Sequence, residues 1–246
     1  MKKLIFISLI ISGTLFFSCK KSSNTPAVTG GANNPNMGGQ PYGELTGLRS
    51  FTYNSTTGTL SAPTNTGSAY FLAQPNNIST GIQVGSVRAN GTKFQYQPSS
   101  KTYQDSTFSL SINPTTWQVT GAGPIPSFTY TNNDSLPRYT GYAILPDTIY
   151  RNQNLNLQIN GISSADLIDV SIYNNTPPPS NIYQTKSIGI SANNTISFSS
   201  SSLSGLSVGP TCILIVSVFK YNNQTISGMG FRFISQLEIN KMVYIK

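Results

Sequence analysis

The chain has 246 residues, a formal net charge of +8 and only 9% charged residues, against about 25% in an average soluble protein. It contains no histidine, which excludes the commonest general base, the commonest metal ligand and every mechanism that pairs Ser or Cys with His. Hydrophobic residues make up 37% of the chain, enough to build the cores of one or two folded domains.

The first eighteen residues have the layout of a secretory signal peptide. Lys2 and Lys3 precede an apolar run of fourteen residues, Leu4–Phe17. A helix of that length covers roughly 21 Å, which is short of the ~30 Å hydrocarbon core of a bilayer. We therefore predict a signal peptide over residues 1–18.

The run ends in Phe16-Phe17-Ser18-Cys19, which resembles the lipobox of bacterial lipoproteins, although Phe16 stands where that family usually has leucine. The resemblance implies that Cys19 is acylated and becomes the first residue of the mature chain. It implies a lipid-anchored (palmitate-bearing) protein of the Gram-negative outer membrane, with Lys20 and Lys21 at the anionic headgroups. The absence of acidic residues after Cys19 favours the periplasmic face over the cell surface. An uncleaved membrane anchor and ordinary signal cleavage are the alternatives.

Residues 19–45 contain mostly Gly, Pro, Asn, Ser and Thr and predict a flexible tether. From residue 46 onward, short apolar or alternating runs recur between turn residues, and no helical period of useful length is present. Residues 46–144 are predicted as an N-terminal all-β domain, in which Asn90-Gly91 is the strongest signal for a tight hairpin.

Residues 145–246 contain seven or eight further candidate strands, the number expected of a β-sandwich. Within them, "ISFSSSSLSGLSVGPTCILIV" resembles the strand, short helical turn and strand of immunoglobulin-like domains. The resemblance implies that Leu203 and Leu206 plug the end of the sandwich and that Gly209 forms the turn before the next strand. Cys212 lies in an apolar strand run, where a thiol usually packs as a small hydrophobe. The predicted fold class is therefore all-β, with two β-sandwich-like domains after the signal peptide and tether.

The chain contains few residues that could take part in catalysis. The acidic residues are Glu44, Asp105, Asp134, Asp147, Asp166, Asp169 and Glu238. A carboxylate-only hydrolase would need two of them facing each other in a cleft, and a spacing of three puts Asp166 and Asp169 on opposite faces of a strand. No nucleotide-binding motif is present, the basic residues are scattered, and we predict no enzyme activity, cofactor, metal site or nucleic-acid partner.

Aromatic side chains are the remaining candidates for ligand contacts, because flat rings with polar tips suit sugars and protein interfaces. We single out Trp117, Tyr96 and Tyr103, while noting that the alternation around Trp117 also suits a core position. The expected function is a non-enzymatic binding or scaffolding role in the cell envelope, with a glycan or another envelope protein as partner. The alternatives are a carbohydrate-binding surface lipoprotein of a glycan-uptake system and the carboxylate-only hydrolase.

Overall fold

The computed structural model describes residues 40–174, 182–191 and 193–246. The predicted signal peptide, Cys19 and most of the predicted tether lie outside these residues. The elements are β1 (Gly43–Asn54), β2 (Thr59–Leu60), β3 (Thr64–Phe71), a 3₁₀ turn (Ile78–Thr80), β4 (Val87–Ala89), β5 (Thr92–Lys93), β6 (Gln95–Gln97), β7 (Thr102–Gln104), β8 (Thr115–Val119), β9 (Phe128–Asn132), β10 (Arg138–Tyr139), a second 3₁₀ turn (Gly141–Ile144), β11 (Thr148–Ile149), β12 (Leu155–Gln158), β13 (Ile162–Ser163), β14 (Leu167–Asn174), β15 (Ile182–Gly189), β16 (Thr195–Phe198), α1 (Ser200–Leu203), β17 (Gly209–Ile226) and β18 (Met229–Ile245). The fold is all-β, as the sequence predicts.

One ten-stranded sheet runs through the molecule, with the order β15-β14-β17-β18-β1-β3-β7-β6 and with β11 and β2 paired to β18 and β1. Its spine is the hairpin of β17 and β18, which are 18 and 17 residues long. The first long strand, β1, pairs with β18 in parallel over Gly43–Tyr53. The sheet therefore joins the two ends of the described chain.

Alternation along β18 gives this sheet two different faces. Phe231, Phe233, Leu237, Ile239 and Val243 are all buried on one face, which we call the core face because strand side chains alternate between faces. The other we call the polar face. By strand register it carries Glu44, Thr46, Leu48, Ser50, Tyr70, Thr102, Asp169, Ser171, Tyr173, Ser217, Phe219, Tyr221, Asn223, Arg232, Ile234, Gln236, Glu238 and Asn240.

Two hydrophobic cores lie side by side on the core face. The first core includes Val87 and Trp117 from the sheet β5-β4-β8-β9, packed against Leu45, Phe71 and residues of β18. The second core includes Leu157 and Phe198 from the pair β12-β16, packed against β14, β17 and β18. This arrangement is β-sandwich-like in both halves.

The two cores do not divide at the sequence boundary between residues 144 and 145. Phe231 and Phe233 belong to the first core, whereas Tyr53 and Tyr139 belong to the second. The reason is that the long strands β18 and β1 run past both cores. In addition, β1 begins at Gly43 and buries Leu45 completely, inside the segment predicted as tether.

Several local predictions are confirmed. Asn90 and Gly91, with φ of 46° and 82°, form the turn between β4 and β5, as expected for an Asn-Gly hairpin. Leu203 and Leu206 are buried in the second core, around a short helix that lies between β16 and β17. Cys212 is buried, and its thiol donates to Asn174 Oδ1 at 3.4 Å. No helix in the described part of the chain is long and apolar enough to cross a bilayer.

Candidate functional site

A cleft of about 480 Å³ opens where the polar face ends beside β3, β7 and the first 3₁₀ turn. Ligand sites are typically concave, about 300–1,000 Å³ in size, and contain a few converging polar groups. The lining residues of this cleft are Gln40, Glu44, Tyr70, Leu72, Ile78, Ser79, Gly81, Ser99, Ser100, Lys101, Thr102 and Arg232.

Strand pairing assembles the floor of the cleft. Arg232 lies opposite Glu44, Glu44 opposite Tyr70, and Tyr70 opposite Thr102. Directly opposed residues on neighbouring strands point to the same side of a sheet, so these four side chains form one row across β18, β1, β3 and β7. Residues that are far apart in sequence thus become neighbours in the floor.

A partly buried ion pair lies in this floor. Arg232 Nη1 is 3.0 Å from Glu44 Oε1, and the side chains are 22% and 12% exposed. Burial raises the pKa of the Glu44 carboxyl, although Arg232 and the Tyr70 hydroxyl oppose the shift. The guanidinium also donates from Nε to Asn223 Oδ1 at 3.1 Å and lies 5.3 Å from the centre of the Tyr221 ring. These contacts fix the position of the Arg232 guanidinium in the floor.

Two loops form the wall of the cleft. Asn77 caps the 3₁₀ turn, and its Oδ1 accepts from Ser79 N at 3.2 Å. From the turn between β6 and β7, Lys101 Nζ donates to Ser79 O at 3.0 Å and so ties the two loops together. The Ser100 and Thr102 hydroxyls are 2.6 Å apart at the foot of this wall.

The cleft offers both donors and acceptors to a ligand. Guanidinium and ammonium groups donate, a carboxylate accepts, and the Ser, Thr and Tyr hydroxyls do both. Ile78, which is 41% exposed, adds apolar surface. Such a mixture suits a small, hydroxyl-rich ligand. Glu44 is the one carboxylate among the lining residues, so the cleft lacks the facing pair of acids that a carboxylate-only hydrolase requires.

The other acidic residues have separate surroundings. Asp166 lies just before β14 and is 3.0 Å from Lys220 Nζ, and Asp147 is 2.9 Å from Lys241 Nζ. Asp105 Oδ1 accepts from the backbone and hydroxyl of Thr107 at 2.8 and 2.7 Å. Asp169 lies on the polar face opposite Ser217, whereas Asp166 lies outside the strand, one residue before β14 begins.

The aromatic residues named from the sequence lie in or against the first core. Trp117 is 1% exposed and makes an edge contact with Phe94, with ring centres 5.5 Å apart. Tyr103 is also 1% exposed, and its hydroxyl accepts from Val84 N at 2.7 Å and donates to Gly85 O at 3.0 Å. Tyr96 is half-buried, 5.0 Å from the Tyr103 ring. None of the three lines the cleft, because alternation turns them toward the core face.

Sequence reasoning missed the floor of the cleft. Glu44 falls in the segment predicted as tether, and Arg232 counted only as one scattered basic residue. Their meeting depends on the parallel pairing of β1 with β18, which joins residues 188 positions apart. The one local signal was the alternation of Phe231, Arg232 and Phe233, which places the arginine opposite the core.

Comparisons of the chain with protein-family models, curated proteins and solved structures found no match.

Proposed function

We propose that this chain is a lipid-anchored, non-enzymatic binding protein of the bacterial cell envelope, held in the outer membrane through Cys19. The cleft on the polar face carries the proposal, because it combines a ligand-sized volume with a partly buried, preorganised ion pair. The anchor rests on the signal-like N-terminus and the cysteine that ends it.

A carbohydrate is the ligand class that the cleft favours. Sugars present hydroxyls that donate and accept, which matches the Ser, Thr and Tyr hydroxyls around Glu44 and Arg232. The Tyr70 ring adds an amphipathic surface of the kind that sugars contact. A carbohydrate-binding lipoprotein of a glycan-uptake system is therefore the more specific candidate, and a protein partner is the other.

A glycan array tests the ligand class. The full chain, purified from membranes in detergent, is applied to immobilised neutral and acidic oligosaccharides. We expect binding to a restricted set that share hydroxyl stereochemistry. A blank array would contradict the carbohydrate assignment.

Mass spectrometry of the mature N-terminus tests the anchor. The expected product begins at Cys19 and carries the added mass of acyl chains. An unmodified Cys19 would remove the anchor and the assigned compartment together. Protease treatment of intact cells then distinguishes the two membrane faces, and we expect protection because the periplasmic face is favoured.

A further inference from the structure

The charges that line the cleft do not balance. Its cations are Arg232 and Lys101, and its one carboxylate is Glu44. That carboxylate is bound to Arg232, with 3.0 Å between Glu44 Oε1 and Arg232 Nη1. In the described part of the chain, no carboxylate oxygen lies within 4.0 Å of Lys101 Nζ. The Lys101 ammonium is therefore a positive charge in the cleft that no described carboxylate pairs.

The Lys101 side chain is nevertheless held in place. Its stem lies against Gly81, where an added Cβ would come 2.9 Å from Lys101 Cδ, so an alanine at position 81 would displace the stem. At the tip, Nζ donates to Ser79 O at 3.0 Å. A long side chain that is already ordered loses less conformational entropy when a ligand binds to it. The wall of the cleft thus presents a positioned ammonium group.

This ammonium group has donors left for a ligand. A lysine ammonium has three donors and accepts nothing, and the Ser79 carbonyl uses one of them. Arg232 differs, because its Nε donates to Asn223 Oδ1 and its Nη1 to the carboxylate of Glu44. Glu44 already neutralises the guanidinium, so Lys101 is the group in the cleft that favours a negatively charged ligand.

The two cations stand at opposite ends of the floor. Lys101 immediately precedes Thr102, the last member of the row Arg232, Glu44, Tyr70 and Thr102. The row crosses three strand spacings of about 4.8 Å, so its ends are roughly 14 Å apart at their Cα atoms. A ligand with its anionic group at Lys101 has its other groups toward Tyr70 and Glu44, which can exchange hydrogen bonds with hydroxyls.

We propose that the cleft binds an acidic sugar and that Lys101 binds its anionic group, a carboxylate or a sulfate ester. Hydrogen bonds between an ammonium and an anion are shorter and stronger than those between neutral groups, so the charge selects acidic sugars over neutral ones. The inference rests on the proposed function, since it names the class of sugar for the same cleft.

The test uses the full chain in detergent on an array that holds each oligosaccharide in an acidic and a neutral form. Oligomers of glucuronate and galacturonate stand beside their methyl esters, and sulfated oligosaccharides beside their desulfated forms. The two members of a pair share ring stereochemistry and differ in charge. We expect at least one acidic member to bind about tenfold or more tightly than its neutral form, with a preference that falls as salt rises.

Variants at Lys101 assign the preference to its charge. Lys101→Gln should bind the two forms about equally, whereas Lys101→Arg keeps the charge and should retain the preference. Lys93→Gln is the control, because it removes the same charge from an exposed lysine of β5 that does not line the cleft. The ratio between the two forms is the readout, since a variant that merely disturbed the wall would weaken the binding of both.

Equal binding of acidic and neutral forms by the wild type would overturn this inference and leave the carbohydrate function standing. A preference that survives in Lys101→Gln, or that is lost equally in Lys93→Gln, would overturn it as well. A blank array would remove the inference and the proposed function together. A preference in the uronate pairs alone would identify the anionic group as a carboxylate, and one in the sulfated pairs alone would identify it as a sulfate, and either result supports the inference.

Discussion

Burial has the largest effect on the pKa values of the carboxyl groups on the polar face. The pKa values of Glu44, Asp169 and Glu238 are all raised by burial, and their neutral or cationic partners only reduce the shift. Asp147 behaves in the opposite way, since hydrogen bonds from Ser55 and Lys241 lower the pKa of its exposed carboxyl. The same residue type thus acquires two pH responses from its surroundings.

The first prediction concerns pH. Asp169 binds its proton more tightly in the folded chain, so its contribution to stability is full below its ordinary pKa and is lost as pH rises through the raised value. Asp169→Asn should therefore match the wild type near pH 4 and exceed it by about 1 kcal/mol at pH 8. Urea unfolding across that range measures the difference.

Asp147→Asn is the control for this measurement. Its folded pKa is lowered, so the stability that its carboxylate provides is present above the ordinary pKa and lost as pH falls. A difference between Asp169→Asn and the wild type that stays constant with pH would contradict the account of Asp169.

The second prediction concerns Trp117, which the sequence left open between core and ligand contact. Because it is buried against Phe94, Trp117→Ala should lower the free energy of unfolding by about 3–5 kcal/mol. Tyr150→Ala, at a side chain that is 46% exposed, should change it by less than about 0.5 kcal/mol. A stable Trp117→Ala protein with lost ligand binding would contradict the core position.

At the scale of elements, the β17-β18 hairpin holds the molecule together. It turns at Ser227 and Gly228, with φ of 51° and 79°. Near its far end, Lys241 is 1% exposed. There its Nζ donates to Leu145 O, pairs with Asp147 at 2.9 Å and lies 5.1 Å from the centre of the Tyr53 ring. The Lys241 side chain thereby attaches residues 145–147, which precede β11, to the sheet.

The third prediction uses Lys241. Lys241→Met keeps most of the apolar stem but leaves the Leu145 carbonyl without its donor, which should cost about 1–3 kcal/mol. Asp147→Asn removes the exposed half of the ion pair and should cost less than about 1 kcal/mol at neutral pH. Equal losses in chemical denaturation would show that the ion pair, rather than the buried hydrogen bond, carries the stability.

Elements with local signals could be predicted, whereas their long-range pairing could not. The Asn90-Gly91 turn follows from residue type, and the burial of Leu203 and Leu206 was implied by the resemblance of their segment to immunoglobulin-like domains. By contrast, the segment "TISGMGFRFIS" is predicted as one strand. In the structure, Ser227 and Gly228 form a turn within it, so that β17 ends at Ile226 and β18 begins at Met229. The pairing of β1 with β18 has no local signal in the sequence, because the residues of either strand would also suit a different neighbouring strand. The cleft depends on that pairing, so it could not be predicted from the sequence.

At the scale of the whole molecule, one sheet serves both cores. A chain divided at residues 144 and 145 would separate β1 from β18 and expose Phe231 and Phe233, which pack in the first core. Eleven residues of β1 are paired with β18. The two halves are therefore expected to depend on each other for folding.

The fourth prediction is cooperative unfolding. A fragment of residues 145–246 should lack the dispersed NMR spectrum of a folded domain, because β18 loses its parallel neighbour. In the full chain, Trp117→Ala in the first core and Ile168→Ala in the second should shift one common transition. Two separate transitions, or a well-folded fragment, would indicate independent domains.

The central claim is that the cleft on the polar face is the ligand site. A substitution that blocks the cleft tests this claim most directly. Ser99 lines the cleft and is exposed, and Ser106 is exposed without lining it. On the same glycan array, Ser99→Trp should abolish the wild-type signal because the indole fills the cleft, whereas Ser106→Trp should retain it. Undiminished binding by Ser99→Trp would contradict the assignment of the cleft.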